Sequence, residues 1–364
     1  LVLGNEAADA DSIVSAMCLA YLRDSAQAGE SGDSTSSGTD ESSSQASIFV
    51  PVATVDRSLV HLRRDVQQLL LKVGLGLEDI ICMSDLSVEK LKENNNVKII
   101  LVDQNTVPSC VTSCGDATVE IIDHHLDAGF SPWVSGAKRN IAYDPVTSRA
   151  LVGSSCTLVA ENYLASGYIT EEIAILLLGV IALDTFNMDP TINKGTGRDA
   201  EAMAALEALA PAVDKTDLFV LLRDAKLDIS FWRSLSGGEA MQLDYKLFLS
   251  RNGCRTGIAS ILLPVEEFMA KDRIGTDIMY TFRKEKLDLF VVMALIMLPE
   301  GTKRELLCFS TSADSAKYLA SYLTSVEECG AAGLKLRQKP ATFPGGFVAT
   351  VFDQQNVAYS RKQM

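Results

Sequence analysis

Two stretches of this chain run from apolar residues straight into acids. One is Ile99-Ile100-Leu101-Val102-Asp103; the other starts at Ala117 and ends in Ile121-Ile122-Asp123-His124-His125. A strand that is apolar on both faces cannot lie at a surface, so each run predicts a strand inside a parallel sheet covered by helices on both sides. Polar side chains then collect at the C-terminal strand ends, where open α/β sheets bind ligands. The chain has three histidines in 364 residues, and two of them are adjacent at one such end. Alone, that pair reads equally well as core or capping histidines. Its company shifts the reading: Asp9/Asp11, Asp103 and Asp184 are all read as acids at strand ends.

A chain of 364 residues is long for one core and predicts two domains. Apolar content of 47% with 22% charged residues fits a globular, water-facing protein, and no apolar run approaches a membrane span. The eight cysteines lie scattered in apolar and loop contexts. They read as reduced structural thiols of a cytosol-like compartment rather than a zinc site. A net charge of -14 argues against binding nucleic acid through a basic surface. It leaves room for an anionic substrate where bound cations supply local positive charge. The chain opens on Leu1-Val2-Leu3 without an initiator Met, so an upstream targeting signal would lie outside this sequence. The expectation is a monomer without membrane or nucleic-acid partners, cytoplasmic or in an acidic phosphate-storage organelle.

Along the chain, Leu1-Val2-Leu3-Gly4 predicts a strand, and a helix starts near Asp11 or Ser12. The loop between them carries Asn5, Asp9 and Asp11. Residues from about 25 to 46 are rich in Ser, Gly, Thr and Asp, which predicts a disordered insertion. His61 lies in a basic amphipathic helical stretch with Arg63 and Arg64 and reads as a surface residue. Gly153-Ser154-Ser155 offers backbone N–H groups to an anion at a helix start. An apolar helix capped by Thr170 delivers Asp184, an acid whose burial costs several kcal/mol unless it is paired or metal-bound. The junction is placed at 212/213. Residues 1–212 form a doubly wound, mostly parallel α/β domain and 213–364 an α+β domain with a mixed sheet, the active site lying in the cleft between them. The second domain has basic residues and few acids at strand ends.

Acidic strand ends with imidazoles suit hard divalent cations such as Mg²⁺ or Mn²⁺. Two such ions about 3.5–4 Å apart can share a carboxylate and activate water for in-line attack on phosphorus. In order and placement, Asn5-x3-Asp9-x-Asp11, Val102-Asp103, Asp123-His124-His125 and Asp184-Thr185 resemble the four motifs of the DHH phosphoesterase superfamily. The C-terminal part resembles its DHHA2 domain, with Asp224-Ala225-Lys226 and Ser360-Arg361-Lys362 similar to the substrate-clamping motifs. Family II inorganic pyrophosphatases carry His where this chain has Asn5, and Asn is similar to the eukaryotic exopolyphosphatase and Prune-type branch. The intact Asp-His-His favours the yeast-type enzymes within that branch.

The resemblance implies one metal held by Asp9 and Asp103, with Asn5 replacing a histidine ligand. It implies a second held by Asp11, Asp103, His124 and Asp184, so that Asp103 bridges. His125 would face substrate as general acid or phosphate ligand, while Lys226, Arg361 and Lys362 bind phosphate. The implied activity is release of orthophosphate from the end of inorganic polyphosphate. The alternatives are a pyrophosphatase, a Prune-like cyclic-nucleotide phosphodiesterase or short-chain polyphosphatase, or a non-catalytic binding protein on the same scaffold.

Overall fold

The computed structural model describes residues 1–32, 47–94, 96–249, 253–310, 314, 334–339 and 348–357. The chain divides into two compact units, Leu1–Lys226 and Leu227–Met364.

The first unit is built on five strands: β1 (Val2–Leu3), β2 (Pro51–Val52), β3 (Ile99–Val102), β4 (Thr118–Asp123) and β5 (Arg139–Ile141). They form one sheet in the order β2-β1-β3-β4-β5, and every neighbouring pair is parallel. A short antiparallel pair follows, β6 (Tyr143–Asp144) with β7 (Arg149–Ala150). The strand order reverses direction between β1 and β3. In a doubly wound sheet that reversal opens a crevice at the strand ends, and Asn5 to Asp11 and Asp103 follow those two strands.

Alternation along β3 explains why the sheet is covered on both sides. Ile100 and Val102 enter one buried cluster, Ile99 and Leu101 the other. The first face is covered by α1 (Ala10–Gly32), α2 (Arg64–Leu71), α4 (Ser155–Tyr163), α5 (Glu171–Asp184), α6 (Gly197–Leu209) and α7 (Lys215–Lys226). The other packs on α3 (Val88–Glu93) and the 3₁₀ stretch Ser109–Ala117. Every residue of α5 from Ile173 to Leu183 is buried, as an all-apolar helix requires. Among the described residues no helix is long and apolar enough to cross a membrane, and the cysteines are free thiols.

Three expectations change here. Asp184 ends a helix, not a strand, because α5 continues unbroken through Ala182-Leu183. Helix α1 runs on to Gly32, into the stretch expected as a loop from about 25. Its Ala26 packs on the core, and Gln27 exchanges hydrogen bonds with the backbone of Ser47. The remainder of that insertion, 33–46, lies outside the described residues. Helix α7 belongs to the first unit, which extends past 212, because Leu218 and Leu222 pack against Leu69 of α2 and Gly179 of α5.

The second unit holds α8 (Ile229–Ser234), α9 (Gly237–Leu243), α10 (Val265–Met269) and α11 (Ile274–Glu285). Its sheet comprises β8 (Tyr245–Leu249), β9 (Arg255–Ile261), β10 (Leu289–Leu298), β11 (Gly301–Ser310), β12 (Leu336–Lys339) and β13 (Val348–Gln354), in the order β12-β13-β11-β10-β9-β8. The β9–β10 pair is parallel and the others antiparallel, the mixed sheet expected. The helix expected over 312–328 lies, apart from Asp314, outside the described residues, as do Arg361 and Lys362.

Candidate metal centre

Asp103 stands at the middle of the site. It leaves β3 with φ 58° and is 2% exposed, a backbone region that costs a non-glycine residue about 1–3 kcal/mol and clusters at functional sites. Its Oδ2 accepts hydrogen bonds from Asn5 Nδ2 (2.7 Å) and Ser12 Oγ (2.6 Å). Its Oδ1 accepts from Ser155 Oγ (3.3 Å) and lies 3.4 Å from His124 Nε2. Both lone pairs of Oδ2 are therefore engaged, and Oδ1 is the oxygen turned towards the histidines.

The loop from β1 to α1 is held tightly. An added Cβ at Gly4 would lie 2.6 Å from the carbonyl oxygen of Ser12, so only glycine lets α1 start this close to the strand. Asp9 Oδ1 accepts the Ser12 N–H (3.1 Å), which makes Asp9, rather than Asp11, the N-cap. His61 is exposed as expected, whereas its neighbour Arg63 is buried and donates to the carbonyls of Ala7 (2.6 Å) and Ala8 (2.7 Å). Asn5 also departs from expectation. Its Oδ1 accepts the Ala7 N–H (2.8 Å), so the amide presents nitrogen, not oxygen, to Asp103. As placed, Asn5 is a hydrogen-bond donor that steadies Asp103 rather than a ligand.

The helix start at Gly153-Ser154-Ser155 does hold an anion, and the anion is Asp11. Its Oδ1 accepts from Ser154 Oγ (2.6 Å) and Cys156 N (3.0 Å), and its Oδ2 from Ser155 N (2.8 Å). One lone pair of Oδ2 remains, on the oxygen 3.8 Å from His124 Nε2. Burial first, then the nearby charges of Asp103 and Asp184, pushes the Asp11 carboxyl well above its usual range.

The two histidines are turned apart, with ring planes 85° to each other. His124 Nδ1 donates to the Val152 carbonyl (3.1 Å), leaving Nε2 for Asp103 and Asp11. Burial opposes its charge, but the carboxylates of Asp103 and Asp11 prevail and push its pKa up to about 10. His125 is the more exposed ring, and its Nδ1 donates to Asp123 Oδ1 (2.8 Å). Asp123 is 0% exposed. The same Oδ1 accepts the backbone N–H of both histidines, and Oδ2 accepts from Asn105 Nδ2 (2.6 Å). Burial would raise Asp123, but the bond from His125 and the charges of both rings hold it below the usual carboxylate range.

Asp184 completes the cluster. Its Oδ2 is buried without a hydrogen-bond partner. Burial pushes its pKa up to about 7, against the opposing charge of Lys226 and with the charges of Asp9 and Asp103. Lys226 is the last residue of α7, with Nζ 3.6 Å from Asp65 Oδ2. It was expected in the second domain and instead belongs to the first unit.

The donor set fits a metal ion. Asp103, His124 and His125 each place a ligand atom within 4.8 Å of the others'. The orphaned Asp184 oxygen and the raised acids mark negative charge taken out of water without enough compensating cation. Ser12, Asn105 and Ser154 were not foreseen as parts of the site. Only the Gly-Ser-Ser helix start hinted at any of them.

An Asp-His-His triplet ending a strand of a five-stranded parallel sheet, followed by a unit with a mixed sheet, is the arrangement that the resemblance to the DHH phosphoesterases implies. No family model matches the chain. Exopolyphosphatase PRUNE1 of Bos taurus is 30% identical over 370 residues, covering 100% of this chain and 73% of that protein. A candidate exopolyphosphatase of Schizosaccharomyces pombe is 24% identical over 379 residues, covering 100% of this chain and 88% of the other. Among solved structures, a candidate family II inorganic pyrophosphatase of Methanococcus jannaschii aligns with TM-score 0.57 at 22% identity, over 84% of this chain and 86% of that one. The chain belongs to the PRUNE1 exopolyphosphatase family. The intact triplet leaned towards the yeast-type enzymes, whereas the identity is higher to the bovine protein than to the fission-yeast one.

Proposed function

We propose that this chain is an exopolyphosphatase that releases orthophosphate from the end of inorganic polyphosphate. The observation that carries this reading is the set of acids, buried Asp11 and Asp103 and half-buried Asp184, gathered on His124, with one oxygen of Asp184 buried and unpartnered. Asp11 through Oδ2, Asp103 through Oδ1, His124 through Nε2, and Asp184 would hold a first divalent ion, Mg²⁺ or Mn²⁺. A second ion between Asp9 and Asp103 would require the Asn5 and Ser12 bonds to Asp103 Oδ2 to give way. When bound, such ions supply Lewis acidity and lower the pKa of water.

The chain's own residues do the rest. Asp123 fixes the tautomer of His125 through Nδ1, which leaves Nε2 to meet substrate and exchange a proton with it. Lys226, within electrostatic reach of Asp184, would neutralise a substrate phosphate. Asn5 stands where pyrophosphatases of the same superfamily carry His, and this favours the polyphosphate reading over pyrophosphate. The test is phosphate release from polyphosphates of graded length, pyrophosphate and a cyclic nucleotide, each with Mg²⁺ or Mn²⁺. Tripolyphosphate and longer chains should be cleaved faster than pyrophosphate; the reverse order would overturn the substrate assignment.

A further inference from the structure

We infer that Asp199 is a positioning residue for the metal centre, acting through the turn from Val152 to Cys156. This rests on the metal reading above. Asp199 lies in the first turn of α6 and is 0% exposed. Its carboxylate accepts from Thr196 N (2.8 Å) and Thr196 Oγ (2.8 Å), which closes the capping box of its own helix. A cap needs no more than that. Yet the same carboxylate also grips Gly153 N through both oxygens (2.9 and 2.8 Å) and accepts from Thr157 Oγ (2.6 Å).

Gly153 and Thr157 bracket the residues that orient the centre. On that turn, the Val152 carbonyl sets the tautomer of His124. Ser154 Oγ, Ser155 N and Cys156 N hold Asp11, and Ser155 Oγ reaches Asp103. Three proposed ligands thus take their orientation from one turn, and that turn is tied to one buried carboxylate. Space allows no slack: a Cβ on Gly153 would meet Thr185 Cγ2 at 2.6 Å and Asp199 Oδ2 at 3.3 Å. Partners that orient metal ligands change metal affinity by about 10–100-fold when lost.

The test compares Asp199→Asn with Thr196→Ala in the full chain. Protein stripped with EDTA is titrated with Mn²⁺, and free Mn²⁺ is read by electron paramagnetic resonance. The amide of Asp199→Asn turns a donor against donors, so its Mn²⁺ dissociation constant should rise at least about tenfold. The bonded Nδ1–H of His124 should weaken in ¹⁵N imidazole spectra, which three histidines keep simple. Thr196→Ala should lower the melting temperature and leave the constant within about twofold. An Asp199→Asn protein that binds Mn²⁺ as the parent does would overturn the inference. Should that variant not fold, Gly153→Ala decides, since it displaces the turn with Asp199 intact; unchanged Mn²⁺ binding there overturns it too. A parent protein that binds no Mn²⁺ would instead overturn the metal reading itself.

Discussion

Glu305 on β11 and Asp184 at the end of α5 are both carboxylates taken largely out of water, one in each unit. Glu305 Oε1 lies 2.9 Å from both Lys303 Nζ and Lys339 Nζ, and its Oε2 accepts the Val265 N–H (2.9 Å). Burial alone would raise its pKa, but the Val265 bond and the two lysines hold it below the usual range. Asp184 has Lys226 and His124 on the positive side against Asp9 and Asp103, and burial still pushes its pKa up. The second unit brings the counter-charge for its buried acid in its own sequence. The first unit leaves its acids short of positive charge, and a divalent cation from solution is what would make up the difference.

The largest expected effect separates the two sites by activity. Asp103→Ala removes the central ligand, and loss of several kcal/mol of ion-mediated stabilisation predicts a fall in phosphate release of at least about 10³-fold. Glu305→Gln should leave turnover within about threefold, since it sits in a structural network. Equal losses in steady-state assays of the two would dissolve the contrast.

Metal removal comes next. At 100 times its dissociation constant, Mn²⁺ should stabilise the parent by about 2.7 kcal/mol relative to protein in EDTA. For a unit of this size that corresponds to roughly 5–10 °C in calorimetry. Glu305→Gln should keep the whole shift, and Asp184→Asn should lose most of it.

Acidity sharpens the comparison further. Asp184 titrates at 3.8 when unfolded and at about 7 in the folded, ion-free chain. Between those values the folded chain keeps a proton that the unfolded chain has released. Its contribution to ion-free stability is therefore complete below 3.8 and declines as pH rises to about 7. Mn²⁺ displaces that proton and the one on His124, whose pKa is pushed up to about 10, so apparent affinity should climb with pH across the window and keep climbing above it. Glu305 has the opposite sign: its lowered pKa gives stability that is present above 4.5 and lost as pH falls below it. Titration calorimetry showing Mn²⁺ affinity independent of pH from 5 to 8 would contradict the first half. The smallest effect is the stability of Glu305→Gln, a loss of about 1–2 kcal/mol by chemical denaturation. It stays at this low end because Lys303 and Lys339 are themselves partly exposed.

Much of this was legible because apolar runs ending in acids encode both a buried parallel strand and its polar end. Asp103 and Asp123-His124-His125 stand where those runs placed them. Asp184 was found for the right reason, an acid delivered by an apolar helix capped by Thr170, though the helix runs on through Asp184 itself and no strand end intervenes. What was not legible was direction. That Asn5 offers N–H rather than oxygen, or that Asp9 caps α1 and leaves Asp11 for α4, depends on partners up to 145 residues apart. Arg63 read only as one residue of a basic stretch, because nothing local signals the two carbonyls that receive it. Asp199 read only as part of a helix start, and its grip on Gly153 appears in three dimensions alone.

Asp103 turns out of β3 through the left-handed region, which Gly enters freely, Asn and Asp at less cost than other side chains, and β-branched residues only under strain. Drift at this position therefore has a permissive route and a closed one. Asn or Gly would keep the backbone and silence the chemistry, whereas Val or Ile would disturb the sheet as well. A lineage abandoning hydrolysis could thus retain an intact scaffold, free to be kept for what it binds.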